Sequence, residues 1–343
     1  MSSKASVRAV VIGGGAIGGI TAAFLSRAGH DVTLVCKHCE IADMANGQGL
    51  HIKGVRGDHH IPVPAVTDIS GLEGRFDLCL IATKAYDMPD CAAAILPYLN
   101  DGALVLSMQN GICTDALAEK VGVSRTVGCV VGFGATMEGP GELVMTSTGE
   151  FVIGLTDRSH PALLDQLKDM LSDVVPARIS DDIFAELYSK LIVNSCITSL
   201  GAVCGLRLGE MMRDRRARSI FLAIIGEAVK VAEAMDLTIP PYGGRLDYHA
   251  LMRGSRPLDD LRRHLTIRVV GLKYHNLKSS SLQSLERGRP TEIEYFNGYI
   301  VKKGRENGVP CPINERMTEM VHEIERKERP ITPDNLADSR LTV

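Results

Sequence analysis

Val7-Arg8-Ala9-Val10-Val11-Ile12-Gly13-Gly14-Gly15-Ala16-Ile17-Gly18-Gly19-Ile20-Thr21-Ala22-Ala23-Phe24-Leu25 is the stretch on which the fold turns. Its opening residues are almost continuously apolar and rich in valine, the pattern of a strand covered on both faces. The loop Gly13-Gly14-Gly15-Ala16-Ile17-Gly18 then gives G-x-G-x-x-G, and a helical run starts at once. Gly13 permits the tight turn, Gly15 lets backbone approach a pyrophosphate, and Gly18 lets the helix lie close to the strand. The N–H groups and dipole of the helix N-terminus favour the phosphate charge. In this strand-turn-helix setting the motif reads as a dinucleotide cradle.

Working outward, Asp31–Cys36, Leu78–Ala82, Ala103–Ser107 and Thr126–Gly132 are further strand candidates alternating with helical stretches. That alternation predicts an α/β, doubly wound, Rossmann-type parallel sheet. Glu142–Thr146 and Phe151–Gly154 read as a hairpin extending it antiparallel. Beyond Ser180 the pattern becomes long and helical. Ser180 with Asp181 and Asp182 suggests a capped helix through Ile197, followed by helices near Arg216–Met235, Leu258–Lys278, Glu292–Asn307 and Ile313–Lys327. The expected division is therefore an N-terminal cofactor domain, 1–179, and an all-helical C-terminal domain, 180–343, with an extended tail after Arg326 that packs on a subunit neighbour. Pro176 breaks the chain near the boundary.

Composition narrows the function. Residues AVILMFWYC make up 45% and DEKR 23%, which suits a globular core and argues against disorder. The formal charge of −3 lacks the basic excess with which nucleic-acid binders neutralise phosphates. Val7–Leu25 contains Arg8 and five glycines, too short and interrupted for a membrane span and without an A-x-A cleavage site. Nine scattered cysteines do not resemble a disulfide framework and fit a reducing, cytoplasmic setting.

Cofactor choice rests on the end of the second strand, Leu34-Val35-Cys36-Lys37, which carries no Asp or Glu for a ribose 2′-hydroxyl. Lys37 there suits a 2′-phosphate and argues for NADP. The alternatives are a solvated surface lysine, or Glu40 as the acid if the strand ends later. Cys36-x-x-Cys39 has no second ligand pair, so no metal is expected, and His59-His60 read as exposed residues of a polar loop.

Reduction of a carbonyl by such a cofactor needs a proton source. Lys190 and Asn194, four residues apart in an apolar helix, share a face and would line a polar cleft; a solvated stripe is the alternative. Gly288-Arg289-Pro290-Thr291-Glu292 reads by pattern alone as a turn into a helix, with Thr291 as its cap.

Taken together, Gly13-x-Gly15-Ala16-Ile17-Gly18-Gly19, Thr83-Lys84-Ala85, Gln109-Asn110-Gly111, Gly134-Ala135-Thr136 with Gly139-Pro140-Gly141, Lys190-Leu191-x-x-Asn194, and Ser280 with Thr291-Glu292-Ile293 resemble the ketopantoate reductase (2-dehydropantoate 2-reductase) family, in order from about Val7 to Glu325. The resemblance implies an NADPH-dependent reduction of a 2-oxo acid to a 2-hydroxy acid, in the best-known case the pantoate-forming step of pantothenate synthesis. It implies Lys190 as proton donor, Glu292 near the nicotinamide ribose, and Asn110 between nicotinamide and substrate. Asn194 and Ser280 match substrate positions, with Thr198 beside them, and Lys84, Ala135 and Lys37 match cofactor contacts. The chain departs from the pattern at Thr198, where an asparagine is usual, at Leu208, where a polar residue is expected, and in an Arg-rich segment, 240–265. Those differences bear on the substrate. The apolar helical domain and long tail suggest a homodimer.

Overall fold

The computed structural model describes residues 7–341, apart from the side chains of residues 270 and 273. It forms two compact units divided between Leu187 and Tyr188. The division lies inside a helix, Ile183–Cys204, rather than at Val175–Ser180. Its first turn belongs to the sheet: a Cβ at Gly128 would lie 2.8 Å from Cγ1 of Ile183 and 2.9 Å from Cδ1 of Leu187.

In the first unit the strands are β1 (Arg8–Ile12), β2 (Asp31–Val35), β3 (Leu50–Gly54), β4 (His59–Ile61), β5 (Ala65–Val66), β6 (Phe76–Ile81), β7 (Leu99–Ser107), β8 (Thr126–Val131), β9 (Gly134–Gly139), β10 (Glu142–Ser147), β11 (Phe151–Leu155) and β12 (Ala177–Ile179). Eight of them make one sheet in the order β12-β11-β8-β7-β6-β1-β2-β5. Neighbours from β5 to β8 run parallel, and β11 joins β8 antiparallel, as the sequence suggests for an antiparallel extension. The order reverses at β1, which has β2 on one side and β6 on the other, so the loop after β1 opens at a topological switch point.

The expected hairpin of Glu142–Thr146 with Phe151–Gly154 does not form. Strand β10 instead pairs antiparallel with β9 and parallel with β3, in a separate sheet of order β4-β3-β10-β9. Each of the two segments finds a better partner: β11 inserts its wholly buried residues beside β8, while β10 lays Leu143 against the first helix, Ala16–Arg27. A Cβ at Gly19 would come 2.7 Å from Cδ1 of Leu143, so glycine lets that helix and the small sheet approach. Leu34, Leu50, Ile52, Leu80, Leu143 and Met145 consequently share one apolar core. Each fully buried side chain of this size contributes roughly 1.5–3 kcal/mol. His59 and His60 lie in β4 rather than in a loop.

The second unit is helical, with an isolated bridge between Tyr242 and Leu246 in place of strands among the described residues. Around Ile183–Cys204 run helices Leu208–Met211, Arg215–Ala234, Tyr248–Met252, Pro257–Lys273, Ser280–Glu286, Asn297–Glu306 and Pro312–Glu325. Within Arg215–Ala234, Ile220, Ile224 and Val231 are buried as the pattern predicts, whereas Ala234 is exposed at its end. The buried carboxylate of Glu227 accepts from the N–H groups of Ile313 and Asn314 at 2.8 and 2.9 Å, where the dipole of Pro312–Glu325 offsets its desolvation.

The tail is not extended. It winds into two 3-10 turns, Pro333–Ala337 and Ser339–Leu341, held to its own unit. Arg316, only 8% exposed at its side chain, bonds Glu323 at 2.7 Å and Asp338 at 2.6 Å. Asn335 donates to the Val203 carbonyl at 2.9 Å, satisfying an orphan acceptor at the end of Ile183–Cys204.

Candidate active site

The carboxyl ends of four adjacent parallel strands bring together the candidate residues of the first unit. Backbone bonds tie them together: Gly13 N–H to Val35 O at 2.8 Å, Ala82 N–H to Ile12 O at 2.8 Å, and Met108 N–H to Ile81 O at 2.9 Å. The loops that follow β1, β2, β6 and β7 therefore emerge side by side, and they carry the glycine loop, Lys37, Thr83-Lys84 and Gln109-Asn110.

Each loop glycine does what the sequence requires of it. Gly13 has φ +115°, and a Cβ there would lie 2.8 Å from the carbonyl of Ala82. At Gly18 a Cβ would meet the Gly13 oxygen at 2.0 Å. Gly15 is different: nothing lies within 4 Å of its Cβ position. It is also the N-cap of Ala16–Arg27, without a side-chain cap bond, and the first turn holds no acid. The N-terminus where Ala16 and Ile17 sit is thus open to an anion, and the residues fit a dinucleotide's pyrophosphate.

Lys37 is exposed just beyond β2, and Glu40 falls in the first turn of the next helix, Cys39–Asn46, so the strand tip carries the cation. Lys84 and Asn110 are exposed, and Ala135 is half-buried on β9. Sequence reasoning gave no role to Gln109, which is 5% exposed. It accepts from Ser107 Oγ at 2.6 Å and donates to the carbonyls of Ile81 at 2.9 Å and Thr83 at 3.3 Å. An amide amid the apolar end of β7 was the available signal.

The Cys36/Cys39 pair separates in the structure. Cys36 is buried, its thiol pushed up to about 11 by desolvation, while Cys39 is exposed. Among the described residues, the one group of three whose ligand atoms lie within 4.8 Å of one another is His51, Asp58 and His60, on the small sheet. His51 there is already met on both nitrogens, by Glu142 and Asp58 at 2.8 Å each.

The helical unit carries the remaining candidate residues. Tyr188 donates to Ala228 O at 2.9 Å, Ser189 Oγ to Pro240 O at 2.8 Å, and Tyr248 to Ser189 O at 2.7 Å, fixing the rotation of Ile183–Cys204. On this mostly buried helix, Lys190, Asn194 and Ile197 are half-exposed, one turn apart along one face. The most apolar stretch of the helix is long enough to cross a membrane, but 83% of it is buried inside the protein. Thr198 is 6% exposed and donates to the Asn194 carbonyl at 2.8 Å, so its proton is used within the helix.

Ser280 is half-exposed at the start of Ser280–Glu286, and the cap is Ser279, whose Oγ accepts from Leu282 N–H at 3.1 Å. Glu292 is 8% exposed at the entry to the turn Ile293–Tyr295. Its neighbour Thr291 is pinned by two bonds of 2.7 Å, from N–H and Oγ1, to Glu325 Oε1. Leu208, at 1% exposure, packs in the core, which accounts for an apolar residue there. Two arginines of the 240–265 segment are structural: Arg262 and Arg263 both donate to carbonyls at the end of Tyr248–Met252, where cations suit the helix dipole.

Comparison with known proteins agrees with this architecture. The family described as ketopantoate reductase PanE/ApbA matches residues 9–158, and its C-terminal counterpart matches residues 182–325. A 2-dehydropantoate 2-reductase of Archaeoglobus fulgidus is 26% identical over 319 residues, 93% of this chain and 98% of the relative. One from Pyrococcus abyssi is 26% identical over 307 residues, 89% of this chain and 93% of the relative. A PanE/ApbA family ketopantoate reductase of Ralstonia eutropha JMP134 superposes with TM-score 0.79 at 30% identity, covering 93% of this chain and 99% of its own. A D-mandelate dehydrogenase solved with NADH and anilino(oxo)acetate also reaches 0.79, at 24% identity with the same coverage. The chain therefore belongs to the ketopantoate reductase family, as an oxidoreductase acting on CH–OH groups with a nicotinamide dinucleotide as cofactor.

Proposed function

We propose that the protein reduces a 2-oxo acid to the 2-hydroxy acid with NADPH, 2-dehydropantoate to pantoate being the first choice of substrate. The observation that carries this reading is the pair Lys190 and Asn194, half-exposed along one face of a mostly buried helix. When bound, the nicotinamide supplies a hydride to the substrate's carbonyl carbon. Negative charge then grows on the oxygen, where the Lys190 ammonium stabilises it and delivers the proton that completes the hydroxyl. A lysine side chain is ordinarily an ammonium in neutral water and so brings a proton to the reaction. Glu292 helps keep it so and orients the nicotinamide ribose. Asn194, Ser280 and Asn110 supply donors for the substrate's carboxylate and keto group. Lys84 and Ala135 contact the cofactor, and Lys37 faces its 2′-phosphate.

A second substrate reading has its own support. With the Thr198 hydroxyl donated to Asn194 O, this position offers less to a polar substrate tail than an amide would. A bulkier or more apolar 2-oxo acid, in the manner of the mandelate-oxidising neighbour, is then favoured. Following NADPH absorbance with ketopantoate, branched aliphatic 2-oxo acids and phenylglyoxylate separates the two. Turnover with none of them would leave an NADPH-binding protein without this chemistry.

A further inference from the structure

The small sheet carries a polar cluster that the candidate active site does not use. One face of that sheet is apolar, with Leu50, Ile52, Ile61 and Leu143 in the core. Side chains alternate along a strand, so His51, His60 and Glu142 fall on the other face. The register sets them side by side, pairing His51 with His60 on β4 and with Glu142 on β10. The two imidazoles stack with their centroids 4.1 Å apart. Gly54 at φ +111° and Gly57 at φ +98° fold the chain back between β3 and β4, which returns Asp58 to His51. His59 is engaged elsewhere: its ring stands edge-on to Phe24, and its Nε2 lies 2.7 Å from the Arg56 carbonyl.

One ligand atom each from His51, Asp58 and His60 lies within 4.8 Å of the other two. Two donors on one tetrahedral zinc stand about 3.3 Å apart, so closing the set takes only side-chain rotation in the exposed Asp58 and His60. His51, 13% exposed at its side chain, is held from both sides: Nδ1 lies 2.8 Å from Glu142 Oε2, and Nε2 lies 2.8 Å from Asp58 Oδ1. A neutral imidazole carries one N–H and cannot donate to both carboxylates. With the proton on Nδ1, toward Glu142, the Nε2 lone pair faces the Asp58 carboxylate, and a cation between them turns that repulsion into two bonds. Carboxylate, histidine and metal in this order is how proteins orient an imidazole ligand and raise its basicity. We infer that His51 Nε2, His60 and Asp58 bind a divalent transition-metal ion of the zinc type, with Glu142 orienting His51 and water completing the coordination. Two imidazoles with a carboxylate suit zinc, nickel or copper rather than magnesium or calcium. The ion ties β4 and the turn before it to β3. The expectation of no metal rested on the cysteines, and this set uses none of them.

Calorimetric titration of the chelator-stripped full chain with zinc at neutral pH tests the site. Wild type should take up one ion per chain and melt at a higher temperature when loaded. His60→Ala, at an exposed position on the sheet, should keep the fold and weaken binding at least tenfold. Glu142→Gln, which keeps the size of the side chain but removes its charge, should weaken binding by about 10–100-fold. Cys39→Ser should bind as wild type does, and cobalt in place of zinc should show no thiolate-to-metal charge-transfer band. A wild-type chain without saturable zinc binding would overturn the proposal. So would wild-type affinity in His60→Ala or Glu142→Gln, or binding that Cys39→Ser abolishes, which would mark an adventitious thiolate-bound ion.

Discussion

Gln109 donates from Nε2 to the Ile81 carbonyl at 2.9 Å, binding the loop after β7 to the end of β6. Through its second bond, to Thr83 O, the same amide steadies the segment that presents Lys84. Replacing it by leucine removes two donors from buried acceptors and leaves Ser107 without its partner, at a cost of about 1–3 kcal/mol. Gln109→Leu should therefore lower the melting temperature and raise the KM for the dinucleotide together. A variant unchanged in both would show that the lock does not exist.

The glycine loop separates folding from binding. At Gly13, with φ +115° and backbone 2.8 Å from the added carbon, alanine should destabilise the protein strongly. At Gly15 the added methyl enters open space, so Gly15→Ala should fold with a near-native melting temperature yet bind NADPH at least tenfold more weakly. Calorimetric melting and dinucleotide titration on the two variants check the contrast, and equal losses of stability would refute it.

Much of this was legible beforehand because local pattern and tertiary environment agree. An apolar strand, three glycines and a helix leave few alternatives, and β1, β2, β6, β7 and β8 lie where the sequence places them within a few residues. What stayed hidden depends on partners far apart in the chain. Nothing local tells Val144 that Lys53 lies opposite it in register. The tail reads as extended because the residues that fold it, Arg316 and the Val203 carbonyl, are distant in sequence. In the candidate site, Lys190 and Asn194 could be found by helical spacing. Gln109 offered only an amide amid apolar neighbours, and the clamp on Thr291 offered nothing, since its meaning lies in the carboxylate it reaches.

Lys37 stands where an NAD enzyme places an acid. Reversing its charge with Lys37→Glu should repel a 2′-phosphate and accept a ribose hydroxyl, moving the NADPH-to-NADH ratio of kcat/KM by at least tenfold toward NADH. An unchanged ratio would assign the lysine to the solvated surface.

A pH dependence follows from His322, which bonds Glu294 at 2.7 Å and Glu325 at 2.8 Å. Burial pulls its pKa down, but the two carboxylates outweigh that and hold it above its ordinary 6.5. Burial likewise pushes Glu325 up, yet bonds from Thr291 and His322 keep it below 4.5. The histidine's contribution to stability is full below pH 6.5 and is lost as pH rises through its folded value; the glutamate's is lost only in acid. As pH rises from 6 to 8 the melting temperature should fall from this source. His322→Gln should abolish that component; an identical slope in the variant would exclude it.

The central claim is that Lys190 delivers the proton. Its most direct test is steady-state kinetics of Lys190→Ala alongside fluorescence titration of NADPH. The account predicts a fall in kcat of about 10²–10⁴, with the dissociation constant for NADPH changed by less than threefold. An alanine variant that turns over its 2-oxo acid at the wild-type rate would contradict it.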